Sequence, residues 1–335
     1  MEQYLFFIHN SFVEKEIPYS EYVESILRIR CNHKYSAIDL FAGCGGLSLG
    51  FEAAGIKTSG YEKDPDCCRT YRQNLKSECH QLFITHEMKF PDVDIVIGGP
   101  PCQPFSRFGS RKGQEDKRNG FPAFIQAVRF VRPKIFICEN VKGLPELSHD
   151  YYEEVLSSFR SLGYIVDSKV IRMARYDVPQ RRERLVIVGH HGGFEFPKEN
   201  SYQITSGEAL GEMACQIPED AMFLTPSMDK YIAKYEAASK CAVPRDLHLD
   251  RPARTLTCRN LAGATSDMHR IRLPDGRRRR ITVREAARLQ SFPDWFDFSG
   301  SMESQFCQIG NAVPPMFAYR LAQSVIKYME KTKNV

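Results

Sequence analysis

The stretch Ser36-Ala37-Ile38-Asp39-Leu40-Phe41-Ala42-Gly43-Cys44-Gly45-Gly46-Leu47-Ser48-Leu49-Gly50 decides the fold. An apolar strand pattern runs through Phe41, breaks into glycines, and continues at once as a helix, which is how a βα unit begins. Glycines in such a turn let the main chain approach a ligand, and the free N–H groups at the helix start point outward. Glu62 ends the next strand pattern, 19 residues after Gly43. A carboxylate there can accept hydrogen bonds from both hydroxyls of a ribose, a geometry that nicotinamide and adenosylmethionine sites share. The spacing departs from G-x-G-x-x-G, because Gly43-x-Gly45-Gly46 is followed by Gly50, and this favours adenosylmethionine over a pyrophosphate ligand.

Outward from that turn, strands and helices alternate. Thr58 to Glu62 reads as strand, Pro65 to Asn74 as helix, Asp94 to Gly98 as strand, Pro122 to Arg132 as helix and Lys134 to Glu139 as strand. Such alternation predicts a parallel sheet covered on both faces, an α/β, doubly wound, Rossmann-like domain. Asp150 to Leu162 continues as an amphipathic helix, and Tyr164 to Met173 with Leu185 to Gly189 reads as two further strands on an antiparallel edge. The expected domain spans residues 35–189, after an extension over 1–34 that carries a helix-like segment, Ser20 to Arg30. Between His190 and Asp250 the rhythm dissolves into polar sequence punctuated by Gly and Pro. Residues 190–300 are therefore expected to form a smaller, irregular, mostly β lobe facing the substrate. Residues 301–335 return to the first domain through a helix from Pro315 to Tyr328, with Phe317, Leu321, Val325 and Tyr328 on one face.

Composition excludes several classes. With 335 residues, 42% apolar, the chain can bury one large core and a smaller lobe. A net charge of +5 permits a nucleic-acid partner without requiring one, so the placing of the basic residues matters more than their number. The eleven cysteines include the adjacent pair Cys67-Cys68 but no C-x-x-C, which predicts a reduced, cytoplasmic chain with no metal site. No signal peptide or membrane span is expected.

Three further segments carry chemistry. Gly98-Gly99-Pro100-Pro101-Cys102-Gln103-Pro104-Phe105-Ser106 presents a thiol directly after a buried-strand pattern, Glu139-Asn140 ends another, and Gln180-Arg181-Arg182-Glu183-Arg184 opens a third. A lone cysteine is usually an inert buried thiol. Beside a carboxylate and paired arginines at strand ends, it reads as a nucleophile. Arg182 and Arg184, two apart, are expected on one face, one bracing Glu139 and the other meeting a substrate carbonyl or phosphate. Residues 103–120, with Arg107, Arg111, Lys112, Lys117 and Arg118 beside Gly109 and Gly113, suit a lid closing over a phosphate backbone. The run Arg277 to Arg280 either grips phosphates or is solvated surface.

These segments resemble the DNA (cytosine-5) methyltransferase family, bacterial restriction-modification type. The likeness extends from Ala37 to Ala318 through Asp39 to Gly50, Glu62, Gly99 to Gln103, Glu139-Asn140-Val141, Gln180 to Arg184, Arg251 to Thr257, Arg284 to Phe292 and Gly310 to Pro314. The resemblance implies transfer of a methyl group from S-adenosyl-L-methionine to carbon 5 of a cytosine extruded from double-stranded DNA, through a covalent adduct of Cys102 with ring carbon 6. Cys102, Glu139, Arg182 and Arg184 would be catalytic, with Arg184 meeting the base. Phe41, Ala42, Gly43, Cys44, Gly46, Glu62, Lys63, Pro101, Asn311 and Ala312 would surround the cofactor. The lobe over 190–300 would be a target-recognition domain. The resemblance further implies a monomer protecting host DNA against a cognate endonuclease that is no stable partner. One departure stands out: Phe83 occupies the place where the family often carries an acidic residue near the adenine. The transfer-RNA branch of the superfamily and an inactive DNA-binding relative are the alternatives. The first lacks its Cys-Phe-Thr signature here, and Cys102 and Glu139 argue against the second.

Overall fold

The computed structural model describes residues 17–29, 34–101, 119–238, 245–263 and 267–332. Cys102 and nearly all of the expected lid lie outside the described residues. A helix, α1 (Tyr19–Ile26), precedes a seven-stranded sheet built in chain order from β1 (Tyr35–Leu40), α2 (Gly46–Ala53), β2 (Ile56–Glu62), α3 (Pro65–Asn74), β3 (Cys79–Gln81), β4 (Ile95–Gly98), α4 (Phe121–Val131), β5 (Ile135–Val141), α5 (Leu144–Leu147), α6 (His149–Ser161), β6 (Ile165–Arg172) and β7 (Glu183–His190). Strand order is β3-β2-β1-β4-β5-β7-β6. The first five strands are parallel, and β7 runs antiparallel to both β5 and β6, as the edge pattern predicted.

The chain falls into two compact units. The first comprises Leu27–Met173, Glu183–Glu199 and Val313–Val335, and the second comprises Met1–Ile26, Ala174–Arg182 and Asn200–Ala312. In the first unit the parallel strands are apolar on both faces, so Ile95, Val96, Ile97, Ile135, Phe136 and Ile137 are all fully buried. The aromatic rings of Phe124, Phe136 and Phe159 meet edge-on or tilted between sheet and helices. Asp64 caps α3 by accepting from Cys67 N, and Pro65 follows at the first helical position, which is why this polar segment starts a helix where it does.

The second unit departs from the expected boundaries. Ala174–Arg182 joins it because Gln180 pairs with Ala253, and the Arg181 N–H donates to the Ala253 carbonyl at 2.8 Å. It is also less β than expected. Its described residues hold α7 (Ser206–Leu210), α8 (Pro226–Ala238), the two-stranded ribbon β8 (Arg270–Arg272) and β9 (Arg278–Arg280), α9 (Val283–Leu289) and α10 (Met302–Asn311). Capping boxes formed by Thr205 with Glu208 and by Thr282 with Glu285 start α7 and α9.

Two expectations are corrected here. The chain is not wholly reduced, because Cys258 and Cys307 form a disulfide. Helix α10 lies so close to the preceding segment that a Cβ on Gly310 would stand 2.4 Å from Cys258 N, and this contact brings the two thiols together. The arginine run is not a uniform solvated patch either. Arg279 is fully buried, its guanidinium held at 2.7 and 2.8 Å by both oxygens of the equally buried Glu285 and donating to the carbonyls of Met213 and Gln216. Arg278 pairs with Asp229 and Asp246, whereas Arg277 stays exposed beside Asp275. Removing one partner of a buried pair strands the other charge, at a cost of about 3–5 kcal/mol. Arg279→Ala is therefore expected to destabilise the second unit by that amount in denaturant melts, with Arg277→Ala close to neutral.

Candidate active site

The glycine turn and Glu62 meet in the first unit. Phe41 takes a left-handed conformation (φ 61°) at the end of β1, a strained choice for a bulky residue. That bend lets the Ala42 N–H donate to the Tyr61 carbonyl and the Gly43 N–H to Glu62 Oε2 at 3.0 Å. Glu62 Oε1 accepts from the N–H groups of Lys63 and Asp64 at 2.8 and 2.9 Å. Three of the roughly four acceptor positions of the carboxylate are thus filled, leaving about one for a direct ribose contact rather than the two expected. Gly43, at φ 55°, has nothing within 4 Å of the position a Cβ would take, so the turn faces open space, whereas Gly45 packs on Tyr71 and Leu75. An oriented carboxylate beside an open glycine cradle fits an adenosyl group.

Around this cradle, Phe41 approaches Gly120, whose N–H donates to the Pro101 carbonyl at 2.9 Å, so Phe41 and Pro101 belong to one wall. Lys63 Nζ stands 5.9 Å from the centre of the Phe83 ring, which is exposed. Cys44 is buried and its thiol is pushed up to about 12 by burial, so any contact it makes with a ligand runs through its main chain. Gly46 begins α2. Asn311 and Ala312 fall in the second unit, where Asn311 is exposed at the end of α10 and the Ala312 carbonyl accepts from Gln290 at 2.6 Å.

Beneath the turn runs a polar network that sequence reading missed. Ser48 donates to Asp39 at 2.7 Å, Tyr71 to Ser48 at 3.0 Å and Thr58 to Glu52 at 2.7 Å, with the Thr58 and Tyr71 hydroxyls 2.8 Å apart. Burial pushes Asp39 up to about 7, opposed by its Ser48 hydrogen bond and reinforced by the Glu62 charge. A carboxyl raised in the folded state binds more protons there than in the unfolded chain, so its contribution to stability is full below about pH 4 and is lost as pH rises through about 7. Asp39→Asn is expected to flatten the fall in melting temperature between about pH 4 and 7, provided the amide keeps the Ser48 contact.

The second cluster forms where β4 and β5 end and the antiparallel β7 begins. Glu139 lies on β5 and Arg184 on β7, where Val141 pairs with Arg184 in the antiparallel register. Arg184 Nε stands 3.1 Å from Glu139 Oε1, both side chains largely buried at 16% and 12% exposure. The approach is an ion pair without hydrogen-bond alignment, so Oε1 is buried and accepts no hydrogen bond from the described residues. Burial lowers the pKa of Arg184 and the Glu139 charge opposes that fall. Oε2 lies across the main chain of Gly99, 3.4 Å from where a Cβ would be. Asn140 pins the neighbouring loop, donating from Nδ2 to the Pro100 carbonyl at 3.0 Å while its Oδ1 accepts from Val141 N. The main chain is thereby fixed through Pro101, immediately before Cys102.

Arg182 corrects the same-face expectation. It precedes β7, belongs to the second unit and is 2% exposed, its Nη1 donating to the carbonyls of Leu256 and Gly310 at 2.9 and 3.0 Å. Gln180 is buried beside it, donating to the Leu289 carbonyl and accepting from Leu256 N. Alternation holds along a strand, and residues 180–182 are not yet in one. Arg184 is the arginine that pairs with Glu139 within the first unit.

Comparison with known proteins identifies the family. The model of the C-5 cytosine-specific DNA methylase family matches residues 35–248 and 196–327. The chain is 50% identical to the Type II methyltransferase M.AplI of Arthrospira platensis over 323 residues, 95% of this chain and 94% of that one. It is 34% identical to M1.HphI of Haemophilus parahaemolyticus over 332 residues, 87% of this chain and 86% of that one. Among solved structures, S. pombe Dnmt2 methyltransferase shares the fold at a TM-score of 0.67 and 16% identity, over 90% of this chain and 99% of that one. The Entamoeba histolytica methyltransferase EhMeth does so at 0.68 and 16%, over 89% and 98%. A family model that matches most of the chain and a relative half identical along nearly its whole length settle the membership: the chain belongs to the C-5 cytosine-specific DNA methylase family.

Proposed function

We propose that this DNA cytosine methyltransferase uses S-adenosyl-L-methionine to methylate carbon 5 of a cytosine flipped out of a short duplex sequence, with Cys102 as a transient covalent nucleophile. The observation that carries the reading is the buried Glu139 Oε1, held toward Arg184 yet lacking a donor among the described residues. A buried acceptor left in this state costs about 1–3 kcal/mol, and the exocyclic amine or a protonated ring nitrogen of cytosine would relieve it.

The chemistry follows from the base. Carbon 5 of cytosine is a poor nucleophile until a group adds to carbon 6 and converts the ring to an enamine. The Cys102 thiolate makes that addition, and Glu139 holds the amine and protonates or hydrogen-bonds ring N3 as charge accumulates there. Bound over the Gly43 cradle and Glu62, S-adenosyl-L-methionine supplies the electrophilic methyl group. Loss of the carbon 5 proton and departure of the thiolate then restore the aromatic ring and the free enzyme. Unstacking the base costs a few kcal/mol, which contacts to the DNA backbone must offset.

The relatives are named Type II methyltransferases, and this supports a role in restriction-modification, marking host DNA against a matching nuclease. No described helix is long and apolar enough to cross a membrane. Bisulfite sequencing of plasmid DNA from cells expressing the chain, with transfer RNA assayed in parallel, tests the reading. Protected cytosines in one short sequence are expected, and methylated transfer RNA with unmarked plasmid would overturn it.

A further inference from the structure

We propose that a cleft in the second unit, lined by Arg181, Arg254 and the buried His269, holds one phosphodiester group of the duplex substrate. The inference rests on the DNA reading above and assigns a site to the segment Arg251 to Thr257, which the chemistry at Glu139 leaves unused. Arg181, Arg251, Arg254 and His269 line the cleft, which has space for little more than one water-sized group.

His269 is the observation that asks for a ligand. It is 1% exposed, and neither ring nitrogen makes a hydrogen bond with a described residue. The main chain of Thr255 lies near enough to favour a proton on the ring, but off the line of a bond. Burial foremost, and then the charge of Arg254, hold the imidazole neutral, with its pKa lowered to about 3. A neutral imidazole carries one donor and one acceptor, and an unpartnered donor lining so small a recess suits a single non-bridging phosphate oxygen.

The walls supply the charge. Arg254 shares one oxygen of Asp267 with Arg245, at 3.0 and 2.9 Å, which leaves its guanidinium at the cleft. Asp246 also borders the cleft, but Arg270, Arg272 and Arg278 all contact it. Arg251 is paired with Asp250. Arg181 is exposed, and its guanidinium forms no hydrogen bond or ion pair with any described residue. Its main chain is fixed at the cleft by Ala253 on one side and by the Thr255 hydroxyl, which donates to the Arg181 carbonyl at 2.9 Å, on the other. A cation held at its root and free at its tip, beside a neutral buried donor, suits a phosphate whose ester oxygens remain outside.

The test is affinity for a duplex carrying the sequence that the chain methylates, measured across potassium chloride concentrations. Arg181→Ala is expected to make the slope of log K against log salt shallower by about 0.9, one phosphate contact. His269→Gln is expected to weaken binding severalfold at every salt concentration with the slope unchanged, because a neutral contact is lost. The double variant should lose less than the sum of the two, since both hold the same phosphate. Should His269→Gln fail to fold, duplexes carrying a neutral methylphosphonate at one position after another decide the matter. One position should weaken binding by the wild-type chain and leave Arg181→Ala indifferent, and finding none would overturn the proposal. An unchanged slope in Arg181→Ala, or full affinity in a folded His269→Gln, would mean that the cleft holds an ordered water only. Either result with methylation intact overturns the cleft alone, whereas a wild-type chain that neither methylates nor binds the duplex overturns the DNA reading with it.

Discussion

Cys102→Ser is expected to abolish methyl transfer while leaving binding of S-adenosylhomocysteine and of duplex DNA intact. Free cysteine is a few per cent thiolate at neutral pH, whereas a serine hydroxyl is essentially never ionised, so the addition to carbon 6 that makes carbon 5 nucleophilic loses its agent. Loss of a nucleophile that acts with its partners as a unit lowers turnover by about 10³-fold or more. The position suits the role through what precedes it. Pro100 and Pro101 are fixed by hydrogen bonds from Asn140 and Gly120, and the cradle of Gly43 and Glu62 and the carboxylate of Glu139 belong to the same sheet. A duplex with 5-fluorocytosine at the target separates chemistry from binding, because the fluorine blocks the final proton loss and traps the adduct. The wild-type chain should appear as a species stable to denaturant, and the serine variant should not. Undiminished turnover by the serine variant, or an adduct that still forms, would remove Cys102 from the mechanism.

Much of this architecture was legible because it rests on local periodicity. Strands β1, β4 and β5 are largely buried apolar runs, and β1, β2, β4 and β5 are each followed by a helix with Gly or Pro at its start, so those four could be read with boundaries wrong by a residue or two, whereas the three-residue β3, polar and without a helix after it, went unread. Glu62 and Glu139 were legible for a related reason, since one ends β2 and the other lies two residues before the end of β5, and strand ends are where an open α/β sheet places its ligands. What escaped depends on contacts distant in sequence. Nothing local shows that Arg279 is consumed by Glu285 and Arg278 by Asp229 and Asp246, so a run of four arginines looks like solvated surface. Cys258 and Cys307 lie 49 residues apart and share no motif. Arg182 and Arg184 obey a spacing of two that means a shared face only inside a strand, and β7 begins between them. Some signals went unread: Thr205 and Thr282, each followed three residues later by Glu, announced α7 and α9, and Ser301 caps α10.

Glu139→Gln carries the second large expectation, a slowing of covalent adduct formation by about 10²–10⁴-fold, the range that positioned acid-base groups contribute. The amide keeps the shape of the carboxylate and can still accept a hydrogen bond from an exocyclic amine, so recognition of the base should suffer less than the chemistry. It cannot carry a proton to ring N3, and the negative charge that accumulates on the ring as sulfur adds would go unneutralised. Its effect on Arg184 runs the same way: a largely buried guanidinium loses the charge it faces at 3.1 Å. Such desolvated pairs are costly to break from one side, so thermal melts must accompany the kinetics. Arg184→Met in the Glu139→Gln background tests whether that stranded charge is the whole effect. If it is, the double variant should recover both stability and rate. If Glu139 acts on the base, stability alone should recover, and adduct formation should remain slow even with Asn140 and Pro100 still bonded. A Glu139→Gln enzyme that forms the 5-fluorocytosine adduct at the wild-type rate would reduce Glu139 to a structural partner of Arg184, and the unsatisfied Oε1 would then need another explanation.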